Sequence, residues 1–469
     1  LFVNGTETFA RLLFLAAMAA AVALILGYRT RIAAILVWVC IVSIQARNPL
    51  VLSGADGFLR VLLFWAMFLP LGATWSLDRR HNRVPEPART WVASVATAAL
   101  FLQIAFVYLF TAILKSGDPW RTDFTAIWYA LGAGHLTTPF GAWLHQFPGL
   151  LRVLTVATLA IEVIAPVIAF SPWRTSFFRL VAIGLIAGLQ VGIFLTMTIG
   201  IFPIVSTLCM VCFVPTVAWD WLERRVPNLG TAWATRLEGT KRLAAGWRMR
   251  ILSPEGRLGF AAGSSGIEPA APAPQPDRSP EPPQSPAPGR STPVIPFAAN
   301  VVAAVLLSIV LAWNIASVSA YTVPDAARPV AYGLGLYQRW SMFAPRPPGS
   351  TQWTVIQGTL TDGTQVNLLY PLVRDDMTLI VPFTWERPSN IGSDYYGSKE
   401  WRKYFDAIKE DSGKSERRIL GSWLCRTWND VHDGEQALDV IVLYSVLEPT
   451  LPEGETASQR QIKRSTTSC

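Results

Sequence analysis

Long apolar runs separated by short polar breaks dominate the first 220 residues. Runs near 9–27, 31–46, 58–75, 91–115, 149–170, 177–198 and 201–218 each approach the ~20 residues a helix needs to cross a bilayer. The second is short, and the sixth and seventh read equally well as one broken helix. A further run, 294–315, stands alone. A single such run is as consistent with a buried core helix. Eight in one chain predict an all-α polytopic membrane bundle of about eight transmembrane helices.

The tail has a different pattern. Residues 352–359 partly alternate between apolar and polar, Thr361 to Thr364 is a hairpin turn, and 365–369 reads as the returning strand. Over 398–411 a helical period puts Trp401, Tyr404, Phe405 and Ile408 on one face, and Val440 to Tyr444 reads as another strand. The spacing predicts a small α+β or mostly β soluble domain over 330–450, then a flexible tail over 451–469. Between bundle and tail domain lie a basic, tryptophan-rich interfacial segment (221–260), a Pro/Ala/Ser-rich linker (261–292) and the additional span (293–316).

Composition narrows the class. Of the residues 51% are hydrophobic and 15% charged, against roughly 25% charged in soluble domains. A disordered chain, a fibre and a compact cytosolic enzyme are poor fits. The net charge of +8 is compatible with nucleic acid, but no binding fold accompanies it, and the charges are placed as at a membrane surface. Arg29 and Arg31, then Arg79, Arg80, Arg83 and Arg89, then Arg174 and Arg179, then the cluster from Arg224 to Arg250 all fall on alternate loops. By the positive-inside rule these loops are cytoplasmic, which places 219–292 inside and the C-terminal domain outside the cell membrane. Five cysteines do not make a disulfide scaffold, and Cys425 has only Cys469 as a possible partner in the tail. The chain starts at Leu1, so upstream sequence is expected.

Lys115 and Glu162 carry the clearest chemistry. A lysine at the hydrocarbon boundary that loses solvation is a candidate base, against the alternative of an inert snorkelling anchor. Glu162 lies inside an apolar span and should face the bundle interior as a relay, a ligand contact or half of an ion pair. Gln190 is a milder case, with Gly188 and Gly192 beside it permitting close helix packing. Arg47, Asn48, Asp56, Arg60 and Gln103 are candidate cofactor contacts. Asn48 or Asp56 can instead cap a helix, and Asp56 can pair with Arg60 one turn away. His135 and His145 match no metal motif, His81 and His432 are isolated, and Cys209 and Cys212 read as packing residues. No metal site is expected.

Several stretches together resemble a known family. They are Leu26 to Arg31, Arg47-Asn48-Pro49, Asp56 to Arg60, Phe68 to Gly72, Trp75 to Asp78, and Gln103 to Lys115 with Trp120. As a set they resemble the horizontally transferred transmembrane domain family, which includes the vitamin K-dependent gamma-glutamyl carboxylases. The segment from Gln338 to Pro345 is similar to one in bacterial members with a second domain. The resemblance covers about residues 1–220 and implies a bundle of about eight or nine helices, the first of which this chain is expected to lack. It also implies that Lys115 deprotonates a reduced quinone. The motif's neighbouring lysine is Leu114 here, and a histidine important to the carboxylases falls on Asp56, which cannot act as a neutral donor near pH 7. These departures argue against glutamate gamma-carboxylation while leaving quinol deprotonation open. The expectation is an integral membrane protein acting on a quinol or another lipid-soluble molecule, or else a non-enzymatic transport, lipid-binding or assembly protein. Membrane lipids are its expected partners.

Overall fold

A computed structural model describes residues 6–73, 76–81, 94–225, 297–391, 394–451 and 458–469. The basic interfacial segment beyond Arg225 and the whole Pro/Ala/Ser-rich linker lie outside these described residues. The chain divides into two compact units. One holds the membrane bundle together with the C-terminal domain. In the other, Ala218–Arg225 is helical, and Arg225 lies over the Trp221 ring at 5.4 Å.

The described membrane helices are α1 (Glu7–Ile25), α2 (Thr30–Arg47), α3 (Gly54–Ala66), α4 (Val95–Leu114), then two short loop helices, α5 (Ala126–Gly132) and α6 (Pro139–Leu144), followed by α7 (Pro148–Ala169), α8 (Thr175–Thr196), α9 (Phe202–Cys209) and α10 (Phe297–Val318). Six of them are long and apolar enough to cross a membrane, or seven spans if the bent pair Phe202–Phe213 and Thr216–Leu222 counts as one. That is fewer than the eight expected, for two reasons. α3 ends at Ala66 after 13 residues, about 20 Å of helix, because Pro70 lacks an amide donor and disfavours helix in the residue before it. Pro215 interrupts the seventh run in the same way. The close packing that Gly188 and Gly192 permit is not used among the described residues: a Cβ on either would meet nothing within 4 Å. The large apolar side chains Leu12, Phe14, Leu15, Met18, Val22 and Ile25 of α1 are exposed and form a lipid-facing surface.

Contacts sort the loops into two ends. The Asp78 carboxylate accepts hydrogen bonds from Arg29 N at 2.8 Å, from Thr30 N at 2.7 Å and from Thr30 Oγ1 at 2.7 Å, which joins the loop after α3 to the basic α1–α2 turn. At the start of α4, Val95 N donates to Asn300 Oδ1 of α10 at 3.1 Å. The segment 115–147, the turn Pro49–Val51 and Thr198 lie at the other end, where the C-terminal domain docks.

The C-terminal domain is built on a four-stranded antiparallel sheet in the order β2-β1-β3-β4, with β1 Ser350–Leu360, β2 Gln365–Asn367, β3 Leu438–Pro449 and β4 Arg460–Ser468. The β1–β2 turn closes at Thr361 to Thr364, where Gly363 takes φ 88° and its N–H donates to Leu360 O at 2.9 Å. Helix α11 (Lys399–Ile408) buries Phe405 and Ile408 in the domain core, as the period predicts. Helix α12 (Lys414–Asn429) packs on β3 and β4. The expected flexible tail is corrected: its last nine-residue stretch is β4, held by the ladder to β3 and by a Cys425–Cys469 disulfide.

Bundle and domain exchange side chains. Leu50 of the bundle packs against the domain core. In return, Trp340 sits buried against Phe58 and Phe202, and Leu336 joins Phe64 and Trp65. A Trp340→Ala change opens a cavity in this joint. It should cost about 3–5 kcal/mol, read as a lower melting temperature of the whole unit in detergent; separate melting of bundle and domain would contradict the shared core.

Candidate functional site: a buried lysine–glutamate pair

The α4 helix ends at Lys115, whose backbone N–H still donates to Thr111 O while its side chain turns inward. Arg121 completes the helix end by donating from Nε to Lys115 O at 2.8 Å and from Nη2 to Ala112 O at 2.6 Å. Thus a nearby arginine occupies the helix carbonyls, and the Lys115 amine remains available for another partner.

That partner is Glu162 of α7. Lys115 Nζ donates to Glu162 Oε1 at 2.5 Å, and both residues are buried. The amine also lies 4.3 Å from the centroid of the Trp120 ring, which is itself buried. Trp120 is oriented from the C-terminal domain: its indole N–H donates to Phe343 O at 2.9 Å, and Gly117 N donates to Pro345 O at 3.0 Å. The other carboxylate oxygen, Glu162 Oε2, is buried without a hydrogen-bond partner among the described residues. An unpaired carboxylate oxygen in a dry interior is expensive unless something else satisfies it.

Further along α4, Tyr108 and Ser206 of α9 share a hydrogen bond, and Gln190 of α8 donates from Nε2 to Ser206 Oγ at 3.0 Å. Gln190 Oε1 is a second buried acceptor without a partner among the described residues. Cys209 donates its thiol to Ser206 O at 3.0 Å, in keeping with a packing role. Helices α4, α7 and α8 therefore bring an amine, a carboxylate, a phenol and an amide into the bundle interior.

The five candidate cofactor contacts are placed elsewhere, and among the described residues none bonds to Lys115 or Glu162. Arg47 and Asn48 are exposed, and Asn48 Oδ1 caps a short turn by accepting from Leu50 N at 3.2 Å. Asp56 Oδ2 accepts from Ser53 N at 2.7 Å and Ser53 Oγ at 2.6 Å. The expected Asp56–Arg60 pair does not form. Arg60 donates instead from Nε to Gly335 O at 2.8 Å and from Nη1 to Gln45 Oε1 at 3.0 Å, and it lies over the Tyr337 ring. Gln103 and Gln338 bond reciprocally at 2.7 and 3.2 Å, and Trp340 Nε1 donates to Gln338 Oε1 at 2.9 Å. Arg60 and Gln103 thus fasten the 335–340 segment to the bundle. Sequence reading noticed that segment but could not give Gln338 its partner, because 235 residues separate the two glutamines.

At the docking face His135 is buried, and its Nδ1 accepts from Gln352 N at 3.4 Å, which requires an unprotonated nitrogen. His135 O accepts from Arg402 Nη1 at 2.5 Å. Burial pushes the imidazole down to about 4; Asp406 opposes the shift, while Arg402 and Lys409 add to it. The unfolded imidazole, at about 6.5, takes up a proton that the docked one refuses. Stability is therefore complete above pH ~6.5 and falls as pH drops toward ~4, by up to about 3 kcal/mol. Melting curves of wild type and His135→Gln should diverge across that window, with wild type the more acid-sensitive. Parallel curves would remove His135 as the cause.

Residues 4–221 match the family model of the HTTM domain. No curated protein and no solved structure matches the chain. The match covers the membrane helices that carry Lys115, Glu162, Gln190 and Ser206, and the protein is a multi-pass membrane protein with an HTTM domain over residues 4–221.

Proposed function

We propose that the protein is a membrane enzyme that takes a proton from an acidic hydroxyl of a lipid-soluble substrate, with Lys115 as the base and Glu162 as its relay. The observation that carries this reading is the buried Lys115–Glu162 pair with Glu162 Oε2 left without a partner among the described residues. In the resting pair Nζ holds the proton. Transfer of that proton to Glu162 leaves a neutral amine beside a neutral carboxylic acid, which a low-dielectric site tolerates better than separated charges. The free amine then accepts a proton from the substrate hydroxyl.

A quinol fits this donor and acceptor set, since Glu162 Oε2 and Gln190 Oε1 are buried acceptors that a hydroxyl could satisfy. When bound it would supply a weakly acidic phenolic O–H and the electrons for oxygen chemistry. The chain's own residues accept and relay the proton and exclude water. Glutamate gamma-carboxylation is not part of the proposal, because Asp56 stands where the resemblance expects a histidine and is tied to Ser53. A second reading, a non-enzymatic transport, lipid-binding or assembly protein, is favoured by the same pair acting only to join α4 to α7.

Lys115→Arg separates the two. Arginine preserves the charge but cannot serve as a base. Oxygen-dependent quinol turnover should be lost in folded Lys115→Arg; turnover equal to wild type would exclude Lys115 as the base. Mass spectrometry of lipids co-extracted with the wild type should identify a bound quinone.

In the same proposal the C-terminal domain is extracytoplasmic. Two features support this: the basic loops lie at the opposite end of the bundle, and a disulfide persists in oxidising compartments. An impermeant thiol reagent on intact cells should label a cysteine placed at exposed Ile419 and not one placed in 265–285. The reverse pattern would invert the topology.

A further inference from the structure

Between the segment 115–147 and the C-terminal domain lies a cleft of about 590 Å³. Its bundle wall includes Gly132, Gly134 and Thr138, and its domain wall includes Arg387, Glu448 and Thr450. The two walls meet closely: a Cβ on Gly134 would come within 2.6 Å of Arg387 Nη2. Among the residues lining the cleft, Arg387 and Glu448 carry the charge, one of each sign. Arg387 Nη1 donates to both Glu448 oxygens, at 3.1 and 3.0 Å, and both side chains remain open to solvent at 45% and 24% exposure. Burial lowers the pKa of His145, another lining residue, so the cleft gains no third charge near pH 7. His145 Nε2 and Thr450 Oγ1 are buried polar atoms without a partner among the described residues.

The surroundings narrow the ligand. Ala142 of α6 lines the cleft, while Phe140 and Trp143 of the same helix stand exposed and stacked at 5.4 Å. Phe147 continues this surface, its ring 5.1 Å from that of Trp143. Exposed aromatic rings beside membrane spans mark the level of the lipid headgroups. A polar cleft with balanced charge therefore opens beside an apolar surface at headgroup level. A net-anionic ligand would satisfy only Arg387 and would oppose Glu448, whereas a ligand carrying both charges satisfies both.

We propose that this cleft binds the headgroup of a zwitterionic phospholipid with a primary ammonium, its phosphate at Arg387, its ammonium at Glu448 and its acyl chains over Phe140, Trp143 and Phe147. A quaternary ammonium has no N–H to donate and is the weaker ligand. The site is independent of the Lys115 reading, and neither assignment depends on the other.

Native mass spectrometry of the purified full chain, offered equal amounts of phosphatidylethanolamine, phosphatidylcholine and phosphatidylglycerol, tests the proposal. Wild type should retain phosphatidylethanolamine over the other two by roughly tenfold, the scale of one charge-assisted hydrogen bond. Glu448→Gln should equalise the ethanolamine and choline lipids, and Arg387→Gln should reduce retention of all three. The double variant Arg387→Glu with Glu448→Arg keeps an ion pair within the C-terminal domain and controls for folding; it should melt like wild type yet lose the preference, because phosphate and ammonium then face like charges while the acyl chains stay over the aromatic surface. Equal retention of the three lipids by wild type, or an unchanged preference in Glu448→Gln, would overturn the proposal. Displacement of the lipid by equimolar glycerophosphoethanolamine would assign the cleft to a soluble headgroup compound and overturn the lipid assignment.

Discussion

Glu162→Leu should destabilise the bundle by about 3–5 kcal/mol, because it leaves the Lys115 ammonium buried without its counter-charge. The alternatives open to that ammonium are poor. Its other close neighbour is the Trp120 ring, and the ring is held in place by Phe343 O. The double change of Lys115→Met with Glu162→Leu removes both charges and should recover most of the loss, since an apolar pair of similar volume avoids desolvation altogether. Thermal unfolding in detergent would show a large drop for the single variant and a small one for the double. A single variant that melts with wild type would mean that the amine reaches water, and the snorkelling-anchor alternative would then stand. The stability result also bears on function. If the double variant is as stable as wild type, the charges are not needed for folding, and their presence calls for another explanation.

Loss of the Cys425–Cys469 disulfide is expected to have an effect of similar size. The bond closes a loop with a sequence separation of 44, for which chain-entropy arguments give about 4 kcal/mol. Strand β4 contributes little apolar surface of its own, so it depends on the ladder to β3 and on this bond. Cys425→Ser should lower the melting temperature of the unit and expose the last residues to protease, and reductant should do the same to wild type. An unchanged protease pattern in both would show that the β3–β4 ladder suffices.

What could be read from the sequence followed from where the physical signal is local. Membrane spans are composed of long apolar runs, and the six long helices lie where those runs are. The hairpin turn is a four-residue signal and was legible for the same reason. Helix α12 carries Leu420, Leu424 and Trp428 at helical spacing, but exposed Ile419 and Trp423 blur that stripe, and no helix was expected there. Strand β4 was missed because Ile462 is nearly the whole of its apolar content; its order comes from pairing and a disulfide, both non-local. In the site, the charge of Glu162 inside a span was conspicuous, and burial against another helix followed from the energy of a carboxylate in hydrocarbon. The sequence offers Glu162 as a polar partner for Lys115 only because both are ionisable groups within apolar spans, and the hydrogen bond itself, across 47 residues, has no local signal. The roles of Arg60 and Gln103 were also out of reach, since the Gly335–Gln338 segment that they hold lies far along the chain.

The exchange of side chains between bundle and C-terminal domain has a consequence for how the protein is made. Helix α10 covers α4, and Leu336 and Trp340 complete cores begun by Phe58, Phe64 and Trp65, yet all three additions are synthesised far later in the chain. While the ribosome is still translating the middle of the chain, α3 and α4 are already in the bilayer with a face uncovered, and lipid or an insertion factor must occupy it. Biogenesis of the membrane half thus ends only when the C-terminal domain arrives, and a premature stop before α10 yields an incompletely packed bundle, a natural target for membrane quality control.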